Sequence, residues 1–315
     1  MTAVSVIIPM RNAEAFVAET LRTIISESGI DLEVIVVDDG STDNSRAIVT
    51  AIRDPRIHVI DGPKIGIAAC FNAGLHFARG QIIMPCDADD LFVAGRVLTQ
   101  VEWLEQHPES VAVCGRFSTI SPAGKLVACL QLEHVTHENV SPELISGVVR
   151  THFGTYAVRK GVFGAIGACR EYFETAQDID MQLRIGEYGR VDYLPADFYR
   201  YRLHENSITH QQPRARRIFF ERMAFVFQTE RRNTGSDSLQ RGSPPEPAAI
   251  AYNELPTRAR DQIQGMLTGR AWSELTAGHR FSAIRTAFRA SLTVPWSPTG
   301  WATLVKVFVS AIIRG

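Results

Sequence analysis

Within the first 115 residues, short apolar, β-branched runs alternate with stretches whose apolar residues recur at helical spacing, and this alternation limits the fold most. The runs are VSVIIP (4–9), LEVIVV (32–37), RIHVI (56–60), QIIMPC (81–86) and SVAVCG (110–115). Continuous apolar runs of this length suit strands buried on both faces. Between them, residues 13–28 place Phe16, Val17, Leu21, Ile24 and Ile25 on one stripe, and 45–52, 66–78 and 95–107 read as further helices, the last stopped by Pro108. Such alternation implies crossover connections and an α/β fold with a doubly wound, mostly parallel sheet flanked by helices.

The rhythm then changes. Residues 117–131 read as a hairpin around Pro122 and Gly124, and the stretch from there to about 210 is mixed. Residues 213–232 form a basic helical segment, and the Gly, Ser and Pro of 233–248 predict a flexible linker. The expected division is one domain over 1–212, in two halves (1–115 and 116–212), then a helical C-terminal appendage over 249–315.

Bulk properties narrow the function classes. A net charge of −1 gives no general attraction to nucleic acid, so no nucleic-acid partner is expected. Five scattered cysteines without a C-x-x-C pair argue against structural zinc and a disulfide framework. No window reaches the roughly 18 apolar residues of a membrane span, and the residues after Met1 do not read as a signal peptide. The expected location is cytoplasmic, with the inner face of the membrane as a site of contact.

Open parallel sheets bind ligands beyond the carboxyl ends of their strands. Polar and small residues gather at four such ends: Arg11 and Asn12, Asp38 and Asp39, Lys64 to Gly66, and Asp87 to Asp90. Any one alone is ordinary turn or helix-cap chemistry; four together predict a binding crevice. Neither glycine-rich phosphate loop, G-x-x-x-x-G-K-[ST] or G-x-G-x-x-G, is present, so a bound diphosphate would need a cation. Asp87 and Asp89 suit Mn²⁺ or Mg²⁺, while Asp90 would cap the following helix or support its neighbours.

VSVIIPMRNAEAFVAETLRTI, EVIVVDDGSTDNS, GIAACFNAGLHFARGQIIMPCDADD and HPESVAVCG together resemble the inverting family 2 glycosyltransferases, which have a GT-A fold. The resemblance is close over residues 4–115 and looser over 150–210. It implies that an NDP-sugar lies across the strand ends, with Pro9, Arg11, Asn12, Glu14, Asp38, Asp39, Gly66, Asn72, Asp87 and Ala88 binding it. It further implies that Asp87 and Asp89 hold the metal, with His204 as a further metal or diphosphate contact beside Arg202 and Ser207. Arg11 stands where the family usually has an aromatic residue, and Cys70-Phe71-Asn72 replaces its usual A-R-N.

FETAQDIDMQLRIGEYG (173–189) resembles the family's E-D-x-D-L segment with Gln177 in place of the first acid. The resemblance makes Asp178 the base that deprotonates the acceptor hydroxyl, and Asp180 structural; on sequence alone Asp178 could equally complement a helix N-terminus. His152 and Thr155 precede that segment and could sit on the sugar or acceptor side; nothing in the sequence fixes it. The C-terminal apolar residues, from Trp296 to Ile313, suit packing on the catalytic domain or a homodimer, with peripheral membrane contact as the alternative. The expected activity is metal-dependent, inverting transfer from an NDP-sugar, UDP-sugar favoured, to a glycan or lipid-linked hydroxyl in surface polysaccharide or glycoconjugate biosynthesis. The rival readings are a nucleotidyltransferase and a non-catalytic nucleotide-sugar binder.

Overall fold

A computed structural model describes residues 4–129, 137–207, 211–247, 258–276 and 278–313. The chain divides into two units, one of residues 1–117, 131–201 and 216–250, the other of 118–130, 202–215 and 251–315.

The first unit begins with the expected alternation: β1 (Val4–Met10), α1 (Val17–Ile25), β2 (Leu32–Asp38), α2 (Ser45–Ala51), β3 (Ile57–Asp61), α3 (Ile67–Phe77) and β4 (Ile82–Pro85). These strands lie parallel in the order β3-β2-β1-β4. The chain therefore steps to one side of β1 twice and then crosses to its other side, which creates a switch point at the carboxyl end of β1. Alternate residues of the central strands feed two cores. Val4, Val6 and Ile8 pack with Val17, Leu21 and Ile24 of α1, whereas Ile7, Ile35 and Val37 pack with Ala68, Cys70 and Phe71 of α3. The second contact needs Gly74, because a Cβ there would stand 2.5 Å from a methyl of Ile7.

Next come β5 (Leu91–Phe92), α4 (Arg96–Gln106), β6 (Ser110–Ile120), β7 (Leu126–Cys129), β8 (Glu138–Asn139), α5 (Ser141–Ile145), β9 (Ala157–Arg159), α6 (Lys160–Ile166), α7 (Gln177–Tyr188), β10 (Arg190–Arg202) and α8 (Arg214–Thr234). They extend the sheet past β4 in the order β9-β6-β10-β5, with β9 antiparallel to β4 and β6, and β5 antiparallel to β10. An antiparallel extension needs no crossover helices, which is why the sequence rhythm changes here.

Residues 235–247 correct the flexible-linker expectation. They form turns anchored by Asp237, which is fully buried and pairs with Arg170 and Arg231. Tyr172 adds a 2.6 Å hydrogen bond to the Pro245 carbonyl. Composition alone does not reveal these partners.

In the second unit, β7 pairs with Ser118–Ile120 as the expected hairpin. The helices α9 (Ala259–Thr276), α10 (Arg280–Thr293) and α11 (Pro298–Ile313) pack around Ala271, Leu275, Ala283, Ala287, Val307 and Ala311. Trp301, Val305, Phe308 and Val309 lie on the exposed side of α11. No helix among the described residues is long and apolar enough to cross a membrane.

Candidate active site

The rim at the ends of β1 and β2 is built by side chains that tie loops together. Asn12, at φ +50°, accepts the Thr42 amide at 2.8 Å through Oδ1, and its own amide donates to Ser41 Oγ. Glu14 accepts both the amide and the side-chain Nδ2 of Asn44 at 2.9 Å. Arg11 is exposed beside them, and Pro9 sits on β1 opposite Val37.

Asp38 accepts the Ser41 amide at 2.9 Å and pairs with Arg46 at 3.1 Å. Burial works to raise its carboxyl, but Ser41 and Arg46 together hold it below its ordinary value. Asp39 accepts the amides of Lys64 and Gly66 at 2.6 and 3.2 Å, so the β3–α3 loop is held against the end of β2. Gly66 has φ +107°, a conformation that side chains resist, and a Cβ there would meet nothing within 4 Å. The loop thus offers bare backbone beside open space.

The Asp87-to-Asp90 segment is a tight turn between β4 and β5, closed by the Asp90 amide on the Asp87 carbonyl at 3.2 Å. This corrects the helix-cap expectation: α4 begins only at Arg96, behind Gly95 in the left-handed conformation, and Asp90 is fully buried. The turn is fixed by Thr20, which donates to the Ala88 carbonyl at 3.0 Å, and by the Asp87 amide, which donates to the Tyr199 hydroxyl at 2.9 Å. Thr20 and the buried Ala88 thereby anchor the turn from α1.

Asp178 stands in the first turn of α7, just after Ala176 at φ +64°. Burial, then the charge of Asp89, then that of Asp178 push the Asp87 carboxyl up to about 7. Asp89, two residues on, and Asp178, far along the chain, therefore both act on Asp87. Among the described residues no three His, Cys, Asp or Glu side chains form a group able to hold a metal. Asp87 and Asp89 present only hard oxygen donors, which fits a divalent cation that takes its remaining ligands from substrate phosphate and water. His204 and Arg202 lie buried in the second unit, where Arg202 donates to the Pro122 carbonyl at 2.9 Å.

The start of α7 is held by ion pairs. Asp180 is fully buried between Arg170 and Arg184, with guanidinium nitrogens of each at 2.9 Å, and Arg170 continues to Asp237. Asp180 is thus structural. Asp180→Ala would leave two arginines facing each other without their carboxylate, and should cost about 3 kcal/mol of stability by chemical denaturation. A loss under about 1 kcal/mol would show the network to be replaceable.

Asn72 acts as a latch: its Nδ2 donates to the Cys169 carbonyl and its Oδ1 accepts the Cys169 amide, both at 2.8 Å. Thr155 is buried, with its hydroxyl on the His152 carbonyl at 2.8 Å, so it does not face a sugar. Two further groups lie within the field of these carboxylates. His152 feels Asp178 and Asp89. Glu221 on α8 is raised by burial, against Arg217, and raised further by Asp178.

Residues 5–167, over half the chain, match the family described as Glycosyl transferase family 2. The chain belongs to glycosyl transferase family 2. Among curated relatives, the chondroitin synthase of Pasteurella multocida (strain Pm70) is 27% identical over 220 residues, covering 64% of this chain and 20% of that protein. The uncharacterized glycosyltransferase EpsJ of Bacillus subtilis (strain 168) is 30% identical over 215 residues, covering 65% and 62%. The chain thus spans less than two thirds of the length of each. The crystal structure of S. aureus TarS 1–349 in complex with UDP-GlcNAc is 16% identical, covers 99% of this chain and 91% of that one, and superposes with a TM-score of 0.60. The shared fold is the GT-A type expected from the sequence.

Proposed function

We propose that this family 2 member transfers a sugar, with inversion, from a nucleoside-diphosphate sugar to a hydroxyl of a glycan or lipid-linked acceptor. The observation that carries the reading is that Asp89 and Asp178 both raise the Asp87 carboxyl beside the switch-point rim. In-line displacement requires a base on one side of the anomeric carbon and charge stabilisation for the leaving diphosphate on the other.

In this reading the rim of Pro9, Arg11, Asn12, Glu14, Asp38, Asp39 and Gly66 receives the nucleotide. Asp87 and Asp89 would hold Mn²⁺ or Mg²⁺, whose charge would offset that gained by the departing NDP. Asp178 accepts the acceptor hydroxyl proton while that oxygen forms the new bond to the anomeric carbon. The electron pair of the old carbon–oxygen bond leaves with the diphosphate. UDP is the favoured nucleotide, a choice supported by the TarS complex with UDP-GlcNAc. A role in polysaccharide synthesis accords with the chondroitin and hyaluronan synthases among the relatives.

A panel of NDP-sugars, assayed for hydrolysis and thermal shift with and without Mn²⁺, tests this reading. At least one donor should raise Tm by roughly 5 °C at 100 Kd in the presence of metal. If no NDP or NDP-sugar stabilises the chain, the reading fails.

A further inference from the structure

His152 is held as though for contact with a substrate. It precedes the short 3₁₀ turn Phe153–Thr155, and its Nδ1 accepts the Gly154 amide at 3.0 Å. A ring nitrogen that accepts from an N–H carries no proton, so in the neutral ring the proton sits on Nε2. Burial lowers the imidazole's proton affinity, against Asp178 and Asp89, and so favours that neutral ring. The ring stacks on Tyr199, with centroids 5.4 Å apart and planes 15° apart, and is flanked by Tyr201 at 5.1 Å and Phe117 at 5.8 Å. Tyr199 also receives the Asp87 amide, so a single stack relates the imidazole to the acidic turn.

Every hydrogen bond of the ring is accounted for by Nδ1, and Nε2 has no protein partner among the described residues. A fixed, neutral N–H donor is therefore left over within the field of Asp178 and Asp89. If Asp89 faces the diphosphate and Asp178 the acceptor hydroxyl, the transferred sugar is what lies between them. We propose that His152 Nε2–H donates a hydrogen bond to an oxygen of the transferred sugar, making His152 a specificity-determining residue. The inference rests on the nucleotide-sugar reading of the site.

The test compares affinity for UDP with affinity for the UDP-sugar selected from the panel, in Mn²⁺, for the wild type, His152→Phe and His152→Gln. Phe keeps an aromatic ring for the stack and removes the donor; Gln places an amide N–H near the position of Nε2. The expected result is unchanged UDP affinity in both variants, and UDP-sugar affinity and kcat/KM lowered about tenfold in His152→Phe. His152→Gln should recover most of that loss, and thermal melts of the free proteins check that both variants fold. Equal weakening of UDP and UDP-sugar would assign His152 to packing and overturn the proposal, as would wild-type discrimination in His152→Phe. Absence of UDP binding by the wild type would instead remove the underlying reading of the site.

Discussion

Asp178→Asn should lower transfer by about 10³-fold while leaving UDP binding in Mn²⁺ intact. The substitution is nearly isosteric but removes the basic carboxylate. The fold should survive, since the start of α7 is held by Asp180, Arg170 and Arg184 and not by Asp178. Removing Asp178 takes away part of the field that favours positive charge at Asp87 but leaves Asp87 and Asp89 themselves in place, so UDP binding at saturating Mn²⁺ should persist. The loss would therefore fall on kcat, as expected for a group whose interaction develops in the transition state. Single-turnover transfer and UDP titration separate the two effects. Transfer within tenfold of wild type would remove Asp178 from the role of base.

Asp89→Asn and Asp87→Asn should each lower turnover by about 10²-fold or more, because a neutral amide is a poor ligand for a hard cation and leaves the diphosphate charge uncompensated. Asp87→Asn carries a second signature in the metal-free protein. The Asp87 carboxyl is pushed up to about 7 from an ordinary 3.8, so the folded state binds its proton more tightly than the unfolded chain. The stability this supplies is fully present below the ordinary value and is lost as pH rises through about 7. Metal-free Asp87→Asn should therefore melt roughly 3 °C or more above wild type at pH 8, with the gap closing toward pH 4. Saturating Mn²⁺ should erase or reverse the gap, since the cation supplies the missing charge. An unchanged gap from pH 4 to pH 8 would mean that Asp87 is not under this electrostatic pressure.

The parallel half of the sheet was legible because strands buried on both faces must be written as continuous apolar runs, as in Val4–Met10 and Leu32–Asp38. The acidic turn was legible as a site but not as a conformation. Asp-rich segments suit turns and helix caps alike, and the pairing of Leu91–Phe92 with Tyr199–Arg200 makes it a turn. Asn72 entered the site by resemblance alone, and its latch to Cys169, 97 residues away, has no local sequence signature. His152 was noticed without a role, since its stacking on Tyr199 and its field from Asp89 and Asp178 are properties of the folded chain. Asp237 was hidden in a Gly- and Ser-rich stretch for the same reason: buried ion pairs leave no local pattern.

The metal-bridged diphosphate site is tested most directly by calorimetric titration of UDP into the wild type and Asp89→Asn, each with and without Mn²⁺. Wild-type affinity should rise at least tenfold with Mn²⁺, about 1.4 kcal/mol, and Asp89→Asn should lose that gain. Equal UDP affinity with and without Mn²⁺, or a metal gain that survives in Asp89→Asn, would contradict the assignment of Asp87 and Asp89 to a nucleotide-bound cation.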